Sequence, residues 1–334
     1  MKILIVGGTG TISYYVVKAC IKEDMEVHVL NRGNHPDRMQ TGANYIKGDI
    51  NNNSQMRLIL KNEYYDAVIQ FVGFSVKDVK RDMDLFKGKT NQYIFISSAS
   101  VYQKPVTHYP ITEQTPLDNP YWDYAQNKIK CEEYLNEVKD LNVTIVRPSH
   151  TYDGRMIVAN MVSWQYEYAH IQRLLNGKAI IVPGDGSSLW TLTHAEDFAH
   201  SFISLIGNKK AYNQAYQITS EEVYTWDQLT HILAKALGVK AKIIHIPTDF
   251  IIKYMPEMVG PLLGDKTWSA IFDNTKIKSM TSHYRSNIRY EDVVDQVINY
   301  YKQNQNMKLV NEKYELAYDE IIEQYNYAFK GETR

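Results

Sequence analysis

Gly7, Gly8, Thr9, Gly10, Thr11, Ile12 and Ser13 join an unbroken branched-apolar run, Lys2 to Val6, to a segment whose apolar residues recur at helical spacing until about Ile21. A short continuous apolar run reads as a strand buried on both faces, and the glycines after it allow a tight turn into a helix. The same glycines let the backbone come close to a pyrophosphate, whose charge meets free amide groups at the helix N-terminus. In this strand-turn-helix context the motif predicts a dinucleotide site built on Gly7, Gly10, Thr11 and Ile12.

Further strands follow at Glu26 to Leu30, Ala43 to Ile46, Ala67 to Val72, Tyr93 to Ser97 and Val143 to Arg147, with a helix at Tyr124 to Lys139. Strands separated by helix-length segments imply right-handed crossovers, hence an α/β, Rossmann-like, doubly wound parallel sheet over residues 1–150. Beyond Pro148 the rhythm changes. A long helix is expected over Val158 to Asn176, a strand at Ala179 to Val182, a helix at Thr225 to Leu237 and a strand at Lys242 to Ile246. Asp249 to Gly264 reads as loop or short helix, and residues 309–328 as an acidic amphipathic tail helix, solvated or in a subunit contact. The expected division is a nucleotide-binding domain over 1–150, rejoined at about 190–220, a smaller α/β substrate part over 151–189 and 221–303, and a helical tail over 304–334.

The 334 residues carry 37 Lys+Arg against 38 Asp+Glu, a formal net charge of −1. That balance removes the usual electrostatic reason to expect nucleic acid or a membrane surface as partner. No run reaches the roughly 18 apolar residues of a membrane span. Two cysteines, Cys20 and Cys131, fall in separate helical segments, and free thiols in a cytoplasmic protein are the economical expectation. Ten histidines are scattered without ligand spacing, so no metal is expected.

The second strand ends Asn31, Arg32, Gly33 without the carboxylate that would accept from an adenosine ribose. A guanidinium there suits a 2′-phosphate, which leans the expectation towards NADP over NAD; an Arg stacked on adenine in an NAD site is the alternative. Asp49 is placed to accept from the adenine amino group.

YxxxK occurs twice, at Tyr14 to Lys18 and at Tyr124 to Lys128. Tyr14 lies just past the glycine turn, whereas Tyr124 opens a helix downstream of a strand ending in Ser97 and Ser98. Positions i and i+4 share a helix face, so Lys128 is expected to stabilise the Tyr124 phenolate and lower its pKa from an ordinary value of about 10. Ser98 is expected to hydrogen-bond the reacting oxygen.

GGTGTIS, GDI at Gly48 to Ile50, SSASVY at Ser97 to Tyr102, YAQNK at Tyr124 to Lys128, RPSHTYDG from Arg147 and GDGSSLWTLTHAEDFA from Gly184 occur in order. Together they resemble the extended short-chain dehydrogenase/reductases, and more narrowly the NAD-dependent epimerase/dehydratase group that includes UDP-galactose 4-epimerase. The resemblance spans about residues 1–303. It implies Tyr124 as acid/base, Lys128 as its electrostatic partner and a ribose ligand, and Ser98 as the hydroxyl partner. It adds Ile50, Val72 and Pro148 to the cofactor site, Ser100, Arg155, Trp190 and His194 to the substrate side, and a homodimer as the expected assembly.

Three departures shape the expected activity. Ser13 stands where the group has a third glycine, a small residue that still permits close packing. Ala99 and Ser100 replace the acidic pair that 4,6-dehydratases use for elimination, which ranks that reaction below epimerisation or simple oxidoreduction of a sugar or nucleotide-sugar-like alcohol. Trp190 replaces the arginine that clamps a substrate diphosphate, so either Arg155 or Arg173 substitutes for it or the substrate is not a nucleoside diphosphate sugar. A non-catalytic RNA-binding or scaffold protein is the alternative, since some plant chloroplast relatives bind RNA. The intact Ser98, Tyr124, Lys128 set favours an enzyme.

Overall fold

The computed structural model describes residues 1–162, 165–282 and 284–330. Its centre is a seven-stranded sheet in the order β10-β6-β5-β4-β1-β2-β3, every pairing parallel. The strands are β1 (Lys2–Val6), β2 (Glu26–Asn31), β3 (Ala43–Lys47), β4 (Tyr65–Gln70), β5 (Thr90–Ile96), β6 (Asn142–Pro148) and β10 (Gln214–Ile218). Alternation along β1 shows why the sheet is covered twice. Ile3 and Ile5 join the apolar layer that holds Val16, Val17, Phe198 and Phe202, while Leu4 and Val6 join the opposite layer with Val68, Phe86, Tyr93 and Leu135. Four successive buried residues need partners on both faces, and helices supply them.

Helices α1 (Thr11–Lys22), α2 (Asn53–Ile59), α3 (Val76–Phe86) and α4 (Asp123–Glu137) make the crossovers. The strand order reverses between β1 and β4, which opens a crevice at their C-terminal ends. Gly7 follows β1 there, Val72 to Phe74 follow β4, and Ser98 follows the neighbouring strand β5.

The second half builds two small sheets. β7 (His150–Tyr152) pairs parallel with β9 (Leu189–His194), which pairs antiparallel with β11 (Val223–Thr225). β8 (Ala179–Pro183) pairs parallel with β12 (Lys242–Ile246). Helices α5 (Tyr168–Leu175), α6 (Ala195–Phe202), α7 (Trp226–Ala236) and α8 (Thr248–Tyr254), with Tyr290–Gln303, pack around them. β10 is the segment by which the chain returns to the main sheet.

Two expectations need correction. The single helix over Val158 to Asn176 reduces to Tyr168–Leu175, because Ile157, Val158, Ala159 and Met161 enter cores as non-helical chain; Ser163 and Trp164 lie outside the described residues. The tail helix Glu312–Lys330 is docked rather than solvated. Tyr314, Tyr318 and Ile321 are buried with Ile181, Ile246, Ile251 and Met258, and the Ile181 amide donates to the Tyr318 hydroxyl at 2.6 Å. Arg173, 2 % exposed, donates to Glu315 at 2.8 Å and to Asp319 at 2.7 Å, and lies 4.0 Å over the Tyr318 ring. No helix among the described residues is long and apolar enough to cross a membrane.

Candidate active site

The glycine turn is built by sterics. Gly7 and Gly8 have φ of +113° and +82°, where a side chain is strained, and a Cβ on Gly8 would stand 2.4 Å from Val29 Cγ1. Gly10 is the N-cap of α1, and its amide donates to Ser13 Oγ at 2.9 Å. Ser13 is therefore more than a tolerated small residue: it closes the first turn from within. The amides of Thr11 and Ile12 belong to the first helical turn, which has no intrahelical acceptors. Asn31 ties the end of β2 to this turn, donating to Gly7 O at 3.4 Å and accepting from Gly33 N at 2.9 Å.

Arg32 is exposed and makes no hydrogen bond or ion pair among the described residues. Asp49 accepts from Asn51 N at 2.9 Å, and Ile50 is buried next to it. Val72, half open to solvent, and Pro148, at the end of β6, lie at C-terminal strand ends of the main sheet. Arg38 carries no motif that would mark it in the sequence. It is buried, donates to Asp153 at 3.4 Å, and stacks 4.3 Å over the ring of Tyr14. That contact, with Lys18 placed near Glu196 at 3.8 Å, gives the first YxxxK pair a packing role.

The second YxxxK pair lies beside Ser98. Ser98 caps a short turn over Ala99–Val101, where its Oγ accepts from Ser100 N at 3.2 Å and Ser100 Oγ at 2.9 Å. Ser100 thus orients Ser98 from behind. The Ser98 hydroxyl interacts with the Tyr124 phenol and favours its anion, yet burial dominates and the phenol titrates above its ordinary value, with Asp265 adding to the rise.

Lys128, 2 % exposed, bonds to backbone carbonyls beside the phenol. Its Nζ donates to Gly73 O and Ile96 O, both at 2.7 Å, and stands 5.9 Å from the Tyr124 ring centroid. The shared helix face is real, but the ammonium is held beside the ring by two carbonyls, and no lowering of the phenol pKa by Lys128 is found. Burial holds Lys128 itself down to about 8 from an ordinary 10.5. Between those values the unfolded lysine carries a proton that the folded one has lost, so stability rises with pH across that window. The stability of wild type relative to Lys128→Met is therefore expected to increase from pH 8 to pH 10.5, read from urea midpoints at both ends. An unchanged difference would show that burial does not penalise this ammonium.

Behind Ser98, the Ser97 hydroxyl donates to Glu132, which is fully buried and receives Arg147 at 2.6 Å and 3.1 Å. Sequence reading passed over Glu132, a carboxylate on a helix with no motif around it.

The expected substrate residues divide. His194 caps α6, its Nδ1 accepting from Glu196 N at 3.3 Å, and is edged by Tyr15 and Tyr152; it serves the fold. Trp190 is 3 % exposed and packs 5.0 Å from Trp226, so stacking on a sugar ring is not open to it; only its Nε1, buried without a partner among the described residues, remains. Arg155 is placed 3.5 Å from Asp153, and Arg173 is committed to the tail helix. Neither restores a free guanidinium in place of the one missing at Trp190. Among the described residues no group of three His, Cys, Asp or Glu side chains is placed to hold a metal ion.

Comparison with known proteins agrees with this architecture. The chain is 30% identical over 265 residues to the chloroplast stem-loop binding protein of 41 kDa b of Arabidopsis thaliana, covering 75% of this chain and 67% of that one. It is 22% identical to 2'-dehydrokanamycin reductase of Streptomyces kanamyceticus, over 85% of this chain and 80% of the relative. The UDP-glucose 4-epimerase structure from Thermotoga maritima superposes with a TM-score of 0.70 at 19% identity, over 91% of this chain and all of that one. Residues 3–219 match the NAD dependent epimerase/dehydratase family, and the chain belongs to that family.

Proposed function

We propose that the protein is an NAD(P)-dependent oxidoreductase or epimerase acting on a secondary alcohol or ketone of a sugar-like substrate. One observation carries the reading: Ser98, Tyr124 and Lys128 lie together at the C-terminal end of β5, next to the crevice where the strand order reverses. The residues fit a dinucleotide. Gly8 leaves no room for a side chain and Gly7 is held at a φ that strains one, the first amides of α1 suit a pyrophosphate, and Arg32 presents an unpaired guanidinium beside Asn31. When bound, the cofactor supplies a hydride donor or acceptor.

This chain's part is the proton. The raised pKa keeps Tyr124 protonated at neutral pH, suited to giving its proton to a developing alkoxide as a ketone is reduced. In the reverse direction the phenol needs a cation, and Lys128 can serve once its ammonium leaves the carbonyls of Gly73 and Ile96. Ser98, held by Ser100, orients the reacting oxygen. Ala99 and Ser100 offer no carboxylate for elimination, which sets the 4,6-dehydratase reaction aside. RNA binding rests on the name of the chloroplast relative alone, and the net charge of −1 weighs against it.

Fluorescence titration with NADH and NADPH tests the cofactor half. Both are expected to bind, NADPH more tightly. Arg32→Ala is expected to weaken NADPH by about tenfold, the worth of one charge-assisted hydrogen bond, and to leave NADH unchanged. Binding of neither nucleotide would overturn the reading.

A further inference from the structure

Trp122 occupies a position that favours a small polar residue. It is the N-cap of α4, the helix that carries Tyr124, and it offers no side-chain acceptor to the amides of the first turn. Its half-buried indole makes contacts of another kind. On one side its ring lies 5.0 Å from the Tyr124 ring, tilted by 48°. On the other it fills the space against Gly260 and Gly264: a Cβ on Gly260 would stand 2.3 Å from Trp122 Cδ1, and one on Gly264 would stand 2.8 Å from Trp122 Cβ. Neither glycine has a positive φ, so backbone conformation does not call for glycine at either position; the indole does.

The two glycines belong to the second half of the chain. Gly260 lies in the single helical turn Val259–Pro261, and Gly264 in the π-helical turn Leu262–Lys266, which Thr267 N closes on Leu262 O at 3.0 Å. Other residues of that half hold the turn: Trp226 Nε1 donates to Lys266 O at 3.1 Å, and Ser188 Oγ to Thr267 O at 2.8 Å. Asn119, fully buried, ties the same turn to the Ser98 side of the site. Its Nδ2 donates to Gly264 O and to Ser100 O, both at 2.7 Å, and Ser100 Oγ donates to Ser98 Oγ at 2.9 Å. Tyr124 by packing and Ser98 by hydrogen bonds are thus both referred to one turn.

We propose that Trp122 is a positioning residue for the Tyr124 phenol: the turn over residues 260–266 seats on its indole, holds it against the Tyr124 ring and, through Asn119 and Ser100, fixes the Ser98 hydroxyl in the same frame. The inference rests on the reading of Tyr124 as the reacting residue. An acid displaced by about an ångström can lose roughly 10²-fold in rate, so a seat this close bears on turnover as well as on packing. Gly260→Ala puts a methyl group into the indole and forces ring and turn apart, whereas Trp122→Ala removes what that methyl would meet.

Magnetic resonance of the full-length protein, isotope-labelled at tyrosine Cζ, tests it, the Tyr124 signal being the one lost in Tyr124→Phe. Gly260→Ala is expected to move that signal and to lower kcat on a panel of sugar-like alcohols and ketones by at least about tenfold, with NADH affinity unchanged. Gly264→Ala, the milder intrusion, is expected to act in the same direction and serves if Gly260→Ala does not fold. Trp122→Phe is expected to keep more of the rate than Trp122→Ala. In the Trp122→Ala background, Gly260→Ala is expected to leave both signal and rate where Trp122→Ala alone puts them. A wild-type Tyr124 signal in a folded glycine variant, or a further loss on adding Gly260→Ala to Trp122→Ala, would overturn the proposal. The signal requires no substrate, so it decides the matter where no member of the panel is converted. Wild-type turnover in Tyr124→Phe would count against the acid/base reading alone.

Discussion

Tyr124→Phe is expected to lower turnover by roughly 10²- to 10⁴-fold, the usual worth of a positioned acid or base, and to leave NADH binding at its wild-type level. The substitution removes one oxygen and keeps the ring that packs 5.0 Å from Trp122 and beside Lys128, so folding is not at issue. Nicotinamide absorbance during conversion of a panel of sugar-like alcohols and ketones gives the rate, and fluorescence titration gives the binding. A rate within tenfold of wild type would remove Tyr124 from the chemistry. A matching loss of NADH affinity would mean that the phenol supports the crevice rather than the reaction.

Arg147→Met is expected to cost about 3–5 kcal/mol, because it strands the Glu132 carboxylate without its partner in the interior. Glu132 is fully buried, and Arg147 binds it through both Nε and Nη2 while its Nη1 reaches Tyr102 Oη at 3.3 Å. A domain holds only about 5–15 kcal/mol in all, so the loss would show directly in urea denaturation. The double variant Glu132→Leu with Arg147→Met is expected to recover part of it, since an apolar pair leaves no charge uncompensated. The pair matters to the site because Glu132 also accepts from Ser97, the residue before Ser98. A single-variant loss under about 1 kcal/mol would show that the pair is not what secures this strand end.

The main sheet was readable because its strands are buried on both faces. Continuous runs such as Lys2 to Val6 and Tyr93 to Ile96 have one stable home, the interior of a parallel sheet. β7 and β11, three residues each, carry no period to detect and exist through partners tens of residues away. The tail's amphipathic pattern announced a buried face but not its partner, which is Arg173 and the strand that begins at Ala179.

At the site, spacing placed Tyr124 and Lys128 on one helix face, as i and i+4 must be. What Lys128 bonds to depends on Gly73 and Ile96, carbonyls that no side-chain motif reveals. Trp190 and His194 were read by position in a motif, and their burial against Trp226 and Tyr152 gives them to the core instead.

A crystal structure of the protein with NAD bound tests the central claim most directly. The account predicts the pyrophosphate on the amides of Thr11 and Ile12, and the nicotinamide in the crevice between Phe74 and Ser98, within reach of the Tyr124 hydroxyl. A nicotinamide lodged away from Tyr124, or a pyrophosphate bound elsewhere than the glycine turn, would contradict it.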